Sequence, residues 1–424
     1  MIRFLLKGIL HDRSRSLLPI IVVSIGVMVT VVLFCWINGI MGDSIKMNAN
    51  FTNGHVKVMT RAYAAQADQM PNDLAILEVN KLVRELRSQN PGMDWVKRIR
   101  FGALADFPDS TGETRAQGPV AGWAIDLFSP GSKEIERFNI RESIVSGHIP
   151  TKPSDALLSD DLATKFGIKP GDNFTLFGTT MDGSMAFKNF IVSGTVRFGA
   201  TAIDRGAIIT DITDAQAALS MDDAASEILG FFNNGKYDDA KAQQIATAFN
   251  AKYKTSKDEF APEIVTLKNQ EGMAQLIDTV NVLSGFLIFV FVMAMSVVLW
   301  NAGLLGSLRR FNEFGVRLAL GEDKNHIYKT LIYEGVLIGF IGTVIGTIFG
   351  IAISYFMQEH GLYIGNMMRN STLMMPAVAR AEITPAAYFI GIIPGLISMV
   401  LGNALAGIGI YKRKTASLFK ELEV

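Results

Sequence analysis

Four stretches of the chain are apolar almost without interruption, and they set its organisation. They are Leu17–Ile40, about Val280–Leu305, about Leu331–Met357 and about Ala387–Tyr411. A hydrocarbon core about 30 Å thick takes about 20 helical residues, so each stretch predicts a transmembrane helix. Pro394 falls inside the fourth and predicts a kink of the kind a helix bundle tolerates. The first run is longer than the roughly 7–15 apolar residues of a signal-peptide core, and "MGDSIKMN" after it carries no small-x-small site. It reads as a retained anchor.

Between the first and second runs the pattern changes to that of a water-soluble domain. "KNFIVSGTV" and "GAIIT" are β-rich, and "IKPGDNFTLF" reads as a turn and a strand. "SDDLATKFG" predicts a short helix, with Ser159 as N-cap, acids in the first turn and Gly167 as the stop. "PNDLAILEVNKLVRELRSQNP" predicts an amphipathic helix with Leu74, Leu77, Leu82 and Leu86 among its apolar positions, and "YDDAKAQQIATAFNAKY" another. Helices and strands so interspersed predict an α+β domain with room for two lobes. The fold class is therefore an α-helical membrane protein with four transmembrane helices and a large α+β domain inserted between the first and second. The expected divisions are an amphipathic amino-terminal segment (1–16), first span (17–41), inserted domain (42–278), second span (279–306), linking segment (307–330), third span (331–357), loop (358–385), fourth span (386–411) and tail (412–424).

Charge adds orientation. The formal net charge is zero, which gives no field for nucleic acid. Lys and Arg instead concentrate in the amino-terminal tail (Arg3, Lys7, Arg13, Arg15), the linking segment (Arg309, Arg310, Arg317, Lys324, Lys329) and the carboxyl tail (Lys412, Arg413, Lys414, Lys420). The loop between the third and fourth spans carries Arg369 and Arg380. By the positive-inside bias both termini and the linking segment are cytoplasmic, with the inserted domain on the outer side. The third span carries Gly335, Gly339, Gly342, Gly346 and Gly350, mostly four apart. Such a bare face suits close helix approach, either to a second copy of the chain or to another span of one bundle.

Catalytic chemistry has no foothold. The chain lacks a G-x-x-x-x-G-K-[ST] loop, an H-E-x-x-H and a C-x-x-C. Its five histidines (His11, His55, His148, His326, His360) are scattered, which argues against a metal site, and the single cysteine, Cys35, excludes an intrachain disulfide. The acids Asp160 and Asp161 are explained by a helix start.

The linking segment is the unusual element. In "RRFNEFGVRLALGEDKNHIYKTLIYEG", Phe311, Phe314 and Leu318 make one helical stripe, Glu313 and Arg317 stand four apart as an ion pair, and Gly321 can close the helix in a left-handed cap. The pattern fits a short helix lying beside the membrane, which headgroup contact alone would also explain. Its Arg, Glu-Phe-Gly, "RLALG" and later Glu334–Gly335 resemble the coupling segment of the FtsX-like ABC permease superfamily. "WINGIMGDSIKMNANFTNGHVKV", with Asn38–Gly39 and Gly54–His55–Val56, is similar to the first-span exit of the lipoprotein-releasing branch. "VSGHIPTKPSDALLSDDLATKFGIKPGDNFTLF" and "FKNFIVSGTVRFGATAIDRGAIIT" are similar to its outer domain, with Phe166 where Leu is usual.

This resemblance implies a non-catalytic permease subunit in a bacterial inner membrane. ATP and Mg would be bound by a separate cytoplasmic ATPase dimer and no cofactor by this chain. The ATPase would dock on Arg310, Phe311, Glu313, Phe314, Gly315, Val316, Arg317, Leu318, Leu320 and Gly321, with Phe311, Phe314, Val316 and Leu320 as apolar knobs. The implied partners are a second permease copy or paralogue, a lipidated protein as substrate and a periplasmic carrier. The implied mechanism is mechanotransmission, in which ATP-driven movement of the cytoplasmic helices tilts the spans and shifts the outer domains. A macrolide- or peptide-type export pump and a signalling permease that switches a cell-wall hydrolase share this plan. A receptor without an ATPase would leave the linking segment unexplained.

Overall fold

The structure, a computed structural model, describes residues 13–109, 111–199, 201–270, 272–308, 311–364 and 378–412. It separates into two compact units, one formed by Met1–Gly42, Thr279–Tyr363 and Val378–Val424, the other by Asp43–Asp278 with Ile364–Ala377.

Among the described residues, four segments are long and apolar enough to cross a membrane: Leu17–Asn53, Met273–Asn301, Lys324–His360 and Pro385–Ile408. The first helix, Arg13–Asn48, is longer than the apolar run, and a π-turn, Ala49–Asn53, continues it until Gly54 takes a left-handed φ of 62°. The fourth span is not one regular helix. A 3₁₀ turn, Pro385–Tyr388, leads to a π-turn, Ile393–Ile397, and then to the helix Ser398–Lys412. The cause is Pro394, which has no N–H to give the helix ladder. The Ile393 carbonyl accepts from both the backbone N–H and the Oγ of Ser398, the latter at 3.1 Å, which holds the wider turn. Leu362–Tyr363 and Val378–Ala379 pair as a two-stranded ribbon between the third and fourth spans.

The core of this unit is a stripe on the first helix. Val23, Val27, Val31 and Cys35, each four residues apart, are fully buried. A Cβ on Gly342 would stand 2.6 Å from Val23 Cγ1, one on Gly346 2.8 Å from Val27 Cβ, and one on Gly350 2.8 Å from Val31 Cβ. Each valine thus fills a notch on the third span that only glycine leaves open. Both helices step by four residues in the same direction, so the first and third spans run parallel.

In the second unit, among the described residues, ten strands form one sheet. They are β1 (Val56–Thr60), β2 (Met93–Pro108), β3 (Thr114–Ile125), β4 (Ile144–Gly147), β5 (Asp155–Ser159), β6 (Asn173–Thr179), β7 (Met185–Val196), β8 (Ala207–Asp211), β9 (Glu227–Phe232) and β10 (Pro262–Thr266). The order is β10-β1-β9-β2-β3-β8-β5-β7-β4, with β6 pairing β2 and β7. The pairs β3–β8 and β5–β7 are parallel and the other pairs antiparallel. The sheet runs through the whole domain because β2 spans both halves. Its residues Met93–Arg98 pair β9 and Ile99–Pro108 pair β3.

Both faces of the sheet are covered. Ala156, Leu158 and Ile208 belong to a core under the helices Val79–Gln89, Asp160–Phe166, Ile212–Ala218 and Asp239–Tyr253. The alternate residues Leu157, Ala207 and Ile209 join Phe51, Phe138 and Phe198 in a second core on the opposite face. Strands buried on both faces read as continuous apolar runs, which is why "GAIIT" shows no alternation.

The helix at 160–166 has the expected ends. Ser159 Oγ accepts from the Leu162 N–H, and Gly167 closes the helix at a φ of 67°. The amphipathic helix expected from Pro71 onward begins only at Val79. Asn72–Leu74 form a 3₁₀ turn, and Ile76 bridges Ala225 in extended form. The residues that face the core are Val79, Val83 and Leu86, while Leu77 is 59% exposed. A backbone bridge to a distant strand has overridden a local helical pattern.

Charges are buried in pairs. Lys57 Nζ lies 2.9 Å from Glu227 Oε2, and both side chains are buried. Burial pulls the Lys57 pKa down while Glu227 holds it up, so the ammonium depends on its partner. Lys57→Met is expected to cost about 3–5 kcal/mol by leaving a buried carboxylate unpaired, and adding Glu227→Leu should recover most of it. Urea unfolding of the full chain, followed by pulse proteolysis of the inserted domain, measures both. A double variant no more stable than the single one contradicts this account.

Candidate coupling segment and the span interface

The linking segment folds as the helix Phe311–Ala319. Its backbone closes on itself at the carboxyl end. Gly321 N donates to the Leu318 carbonyl at 3.1 Å and Glu322 N to the Arg317 carbonyl at 3.1 Å, with Gly321 at a φ of 92°. These two bonds define a Schellman cap, which needs a residue at ease in the left-handed region. The next helix, Lys324–His360, starts after Asp323, so Glu322 and Asp323 alone separate the cap from the third span.

Arg317 braces this joint. Its Nε and Nη2 hold the two oxygens of Glu322 at 2.6 and 2.5 Å, and His326 Nε2 lies 3.7 Å from the same carboxylate. The Glu322 pKa is held below its usual range, first by its hydrogen bonds to Arg317. The side chain of Glu313, the partner expected for Arg317, lies outside the described residues, and within them Arg317 pairs across the cap. A bidentate fork favours the carboxylate whose backbone the cap already fixes.

The predicted docking residues divide by exposure. Val316 is 50% and Leu320 82% exposed, and their spacing of four puts them on one side of the turn. Gly315 is buried, and Arg317 and Leu318 are half-buried. Phe311, Glu313 and Phe314 are helical in backbone, but their side chains lie outside the described residues, as does Arg310 altogether.

The glycine residues of the third span meet neighbours within the bundle. Gly335 faces the Asn403 side chain, a Cβ on Gly339 would lie 3.2 Å from Gly395 O, and Gly342, Gly346 and Gly350 receive the first helix. Asn403, buried in the fourth span, donates from Nδ2 to the Leu331 carbonyl at 3.3 Å. Sequence reasoning passed over it, although an amide inside an apolar run is the signal that finds such a residue. Gly39 also has a packing reason. A Cβ there would lie 2.0 Å from Arg380 O, and the adjacent Glu382 N–H donates to the Cys35 carbonyl at 2.9 Å.

The inserted domain carries its own apolar row, half-buried at Phe177 and exposed at its other positions. Pro119, Leu104, Phe177 and Phe187 are register partners on β3, β2, β6 and β7 in turn. Phe187 is 74% exposed, and Met185, next to it on the same face at the hairpin tip, 79%. Among the described residues no cluster of His, Cys, Asp and Glu could hold a metal ion.

Residues 16–248 match the family model described as MacB-like periplasmic core domain, and residues 285–415 match the FtsX-like permease C-terminal. The first match covers more than half of the chain. The chain belongs to the FtsX-like permeases with a MacB-like periplasmic core domain, a family of ABC-transporter permease subunits.

Among similar proteins is the "Lipoprotein-releasing system transmembrane protein LolC" of Haemophilus influenzae, 21% identical over 243 residues that cover 56% of this chain and 58% of the relative. The protein of the same name from Xylella fastidiosa is 24% identical over 208 residues, 48% of each chain. The chain thus spans about half the length of the curated relatives it matches. The crystal structure of the periplasmic region of MacB from Actinobacillus actinomycetemcomitans aligns with 54% of this chain and 93% of that one, at 10% identity and a TM-score of 0.35.

The packing sets a contrast between two glycines. A Cβ on Gly346 would lie 2.5 Å from Ser24 O, whereas one on Gly285 in the second span meets nothing within 4 Å. Gly346→Leu is expected to destabilise the bundle by about 1–3 kcal/mol or more through overpacking, and Gly285→Leu to be neutral. Thermal unfolding of both variants in detergent measures the difference, and equal midpoints would remove the notch as a packing device.

Proposed function

We propose that the chain is the permease of an ATP-driven machine that releases lipoproteins from the outer leaflet of a bacterial inner membrane to a periplasmic carrier. The observation that carries the coupling half of this reading is the helix Phe311–Ala319, capped at Gly321, braced by Arg317–Glu322 and exposing Val316 and Leu320. An exposed apolar pair on a rigidly closed helix suits the groove of a partner protein. The partner is a cytoplasmic ATPase dimer, which supplies ATP and Mg. The permease works with a second copy or a paralogue, and both termini are cytoplasmic. The similarity to proteins named LolC supports the cargo half.

The energetic demand fits a coupled machine. Moving acyl chains out of a bilayer costs about 0.8 kcal/mol per CH₂, beyond what binding by an exposed domain alone supplies. ATP-driven movement of the short helix tilts the third span, and the inserted domain passes the cargo on. The row at Leu104, Phe177 and Phe187 is the apolar surface available to a carrier. An export pump of the macrolide or peptide type shares this mechanical plan and differs in cargo.

Leu320→Asp and Phe314→Asp are expected to abolish co-purification of the ATPase while membrane insertion stays normal. Undiminished co-purification would count against docking at this helix. Proteoliposomes holding the chain with its ATPase should release a lipidated protein to a soluble carrier only with ATP. Phe187→Asp should cut that transfer about tenfold or more and leave ATP hydrolysis unchanged. Efflux of a drug or peptide without lipoprotein release would move the assignment to the export pump.

A further inference from the structure

A cavity of about 470 Å³ in the inserted domain is walled by Lys46, His55, Asp94, Lys133, Arg137 and Phe231, among others. That volume lies within the range of small-molecule sites. Its charges are not balanced. Arg137 is committed, because it bonds Glu134 at 2.8 Å, pairs with Asp94 and lies over the Phe231 ring. Asp94 is thereby neutralised. Lys46 and Lys133 are exposed and make no ion pair with a described residue, and Glu136 is the acid on the rim in the same condition. Two ammonium groups therefore stand against one carboxylate at the mouth.

The back wall holds a fixed donor. His55 is 2% exposed, and its Nδ1 accepts the Phe232 N–H at 3.0 Å. Burial first, and then the charge of Arg137, push its pKa down to about 4, so the ring is neutral at pH 7. With Nδ1 accepting, the ring hydrogen is on Nε2. Nε2 bonds no described residue, and the His55 ring forms part of the cavity wall. Phe231 and Phe232 supply apolar lining beside it.

One donor in the wall and two ammonium groups at the mouth, none with an acceptor among the described residues, suit a ligand that brings acceptors and negative charge. Lys46 comes six residues after Ile40, where the apolar run of the first span ends, which is the part of a chain that meets lipid headgroups. We propose that this cavity binds a phosphoryl group, either that of a glycerophospholipid headgroup or free phosphate, with His55 Nε2–H at the back and Lys46 and Lys133 at the mouth. The site is separate from the coupling helix and from the exposed row on β2, β6 and β7.

The test uses the full chain in detergent, titrated with dioctanoyl phosphatidylglycerol, inorganic phosphate and a tri-aspartate peptide, with binding read by calorimetry. Lys46→Ala/Lys133→Ala changes only exposed side chains, and an unaltered thermal midpoint checks that it folds. Saturable binding of the lipid, weakened about tenfold or more in the double variant, supports a headgroup site. Phosphate binding of equal strength with the same loss supports a free-anion site. The proposal is overturned if neither phosphate nor lipid binds, if the double variant binds both as the parent does, or if tri-aspartate binds as tightly as either.

Discussion

Val27 marks the constraint on which the bundle depends. In lipid, apolar side chains gain nothing by leaving one another for the acyl chains, so helices associate through close packing. Val27 lies against Gly346 of the third span and against Gly391 and Gly395 of the fourth. Three segments can meet at one side chain only because three of the contacting residues have none. The second span joins this group more loosely, at Gly26, where Met295 and Leu299 approach. Its outer face, with Val282, Phe286 and Phe289 well exposed, is left for lipid or protein. The first, third and fourth spans thus form a tight set, and the second sits at its edge.

A different force organises the inserted domain. Arg98 on β2 is almost fully buried, holds Glu134 at 2.6 Å, and donates to the carbonyls of Asn50 and Phe51 at 2.7 and 3.1 Å. Those two carbonyls belong to the π-turn that ends the first helix. A buried guanidinium is tolerable only when each of its donors is satisfied, so the turn, the strand and the Glu134 loop fix one another. Because β2 also joins the two halves of the sheet, this point ties the end of the helix to the longest strand.

Local chemistry was legible in the sequence, and long-range partnership was not. Ser159, Gly167 and Gly321 act within a turn of their own position, so residue type sufficed to place them. The glycine stripe of the third span was visible, yet its partner was undecided until Val23, Val27 and Val31 appeared opposite. Arg98 and Glu134 are thirty-six residues apart, and no pattern connects them. Leu74 and Leu77 suggested a helix because periodicity cannot register a bridge from Ile76 to Ala225. The coupling helix itself was legible as an amphipathic element. The partner proposed for it came from resemblance, since an exposed Val316 and Leu320 do not by themselves name one.

The joint at Glu322–Asp323 then links these parts within the membrane unit. A flexible connection would let the helix Phe311–Ala319 move alone. Here the Schellman bonds fix the backbone, Arg317 grips Glu322, and the third helix begins at Lys324. Force applied at Val316 or Leu320 therefore reaches the third span with little slack. That span cannot slide past the first without lifting Val23, Val27 and Val31 out of their notches together. Packed interfaces of this sort have discrete arrangements and resist continuous deformation. The same glycine contacts that hold the bundle together also hold the first and third spans in register.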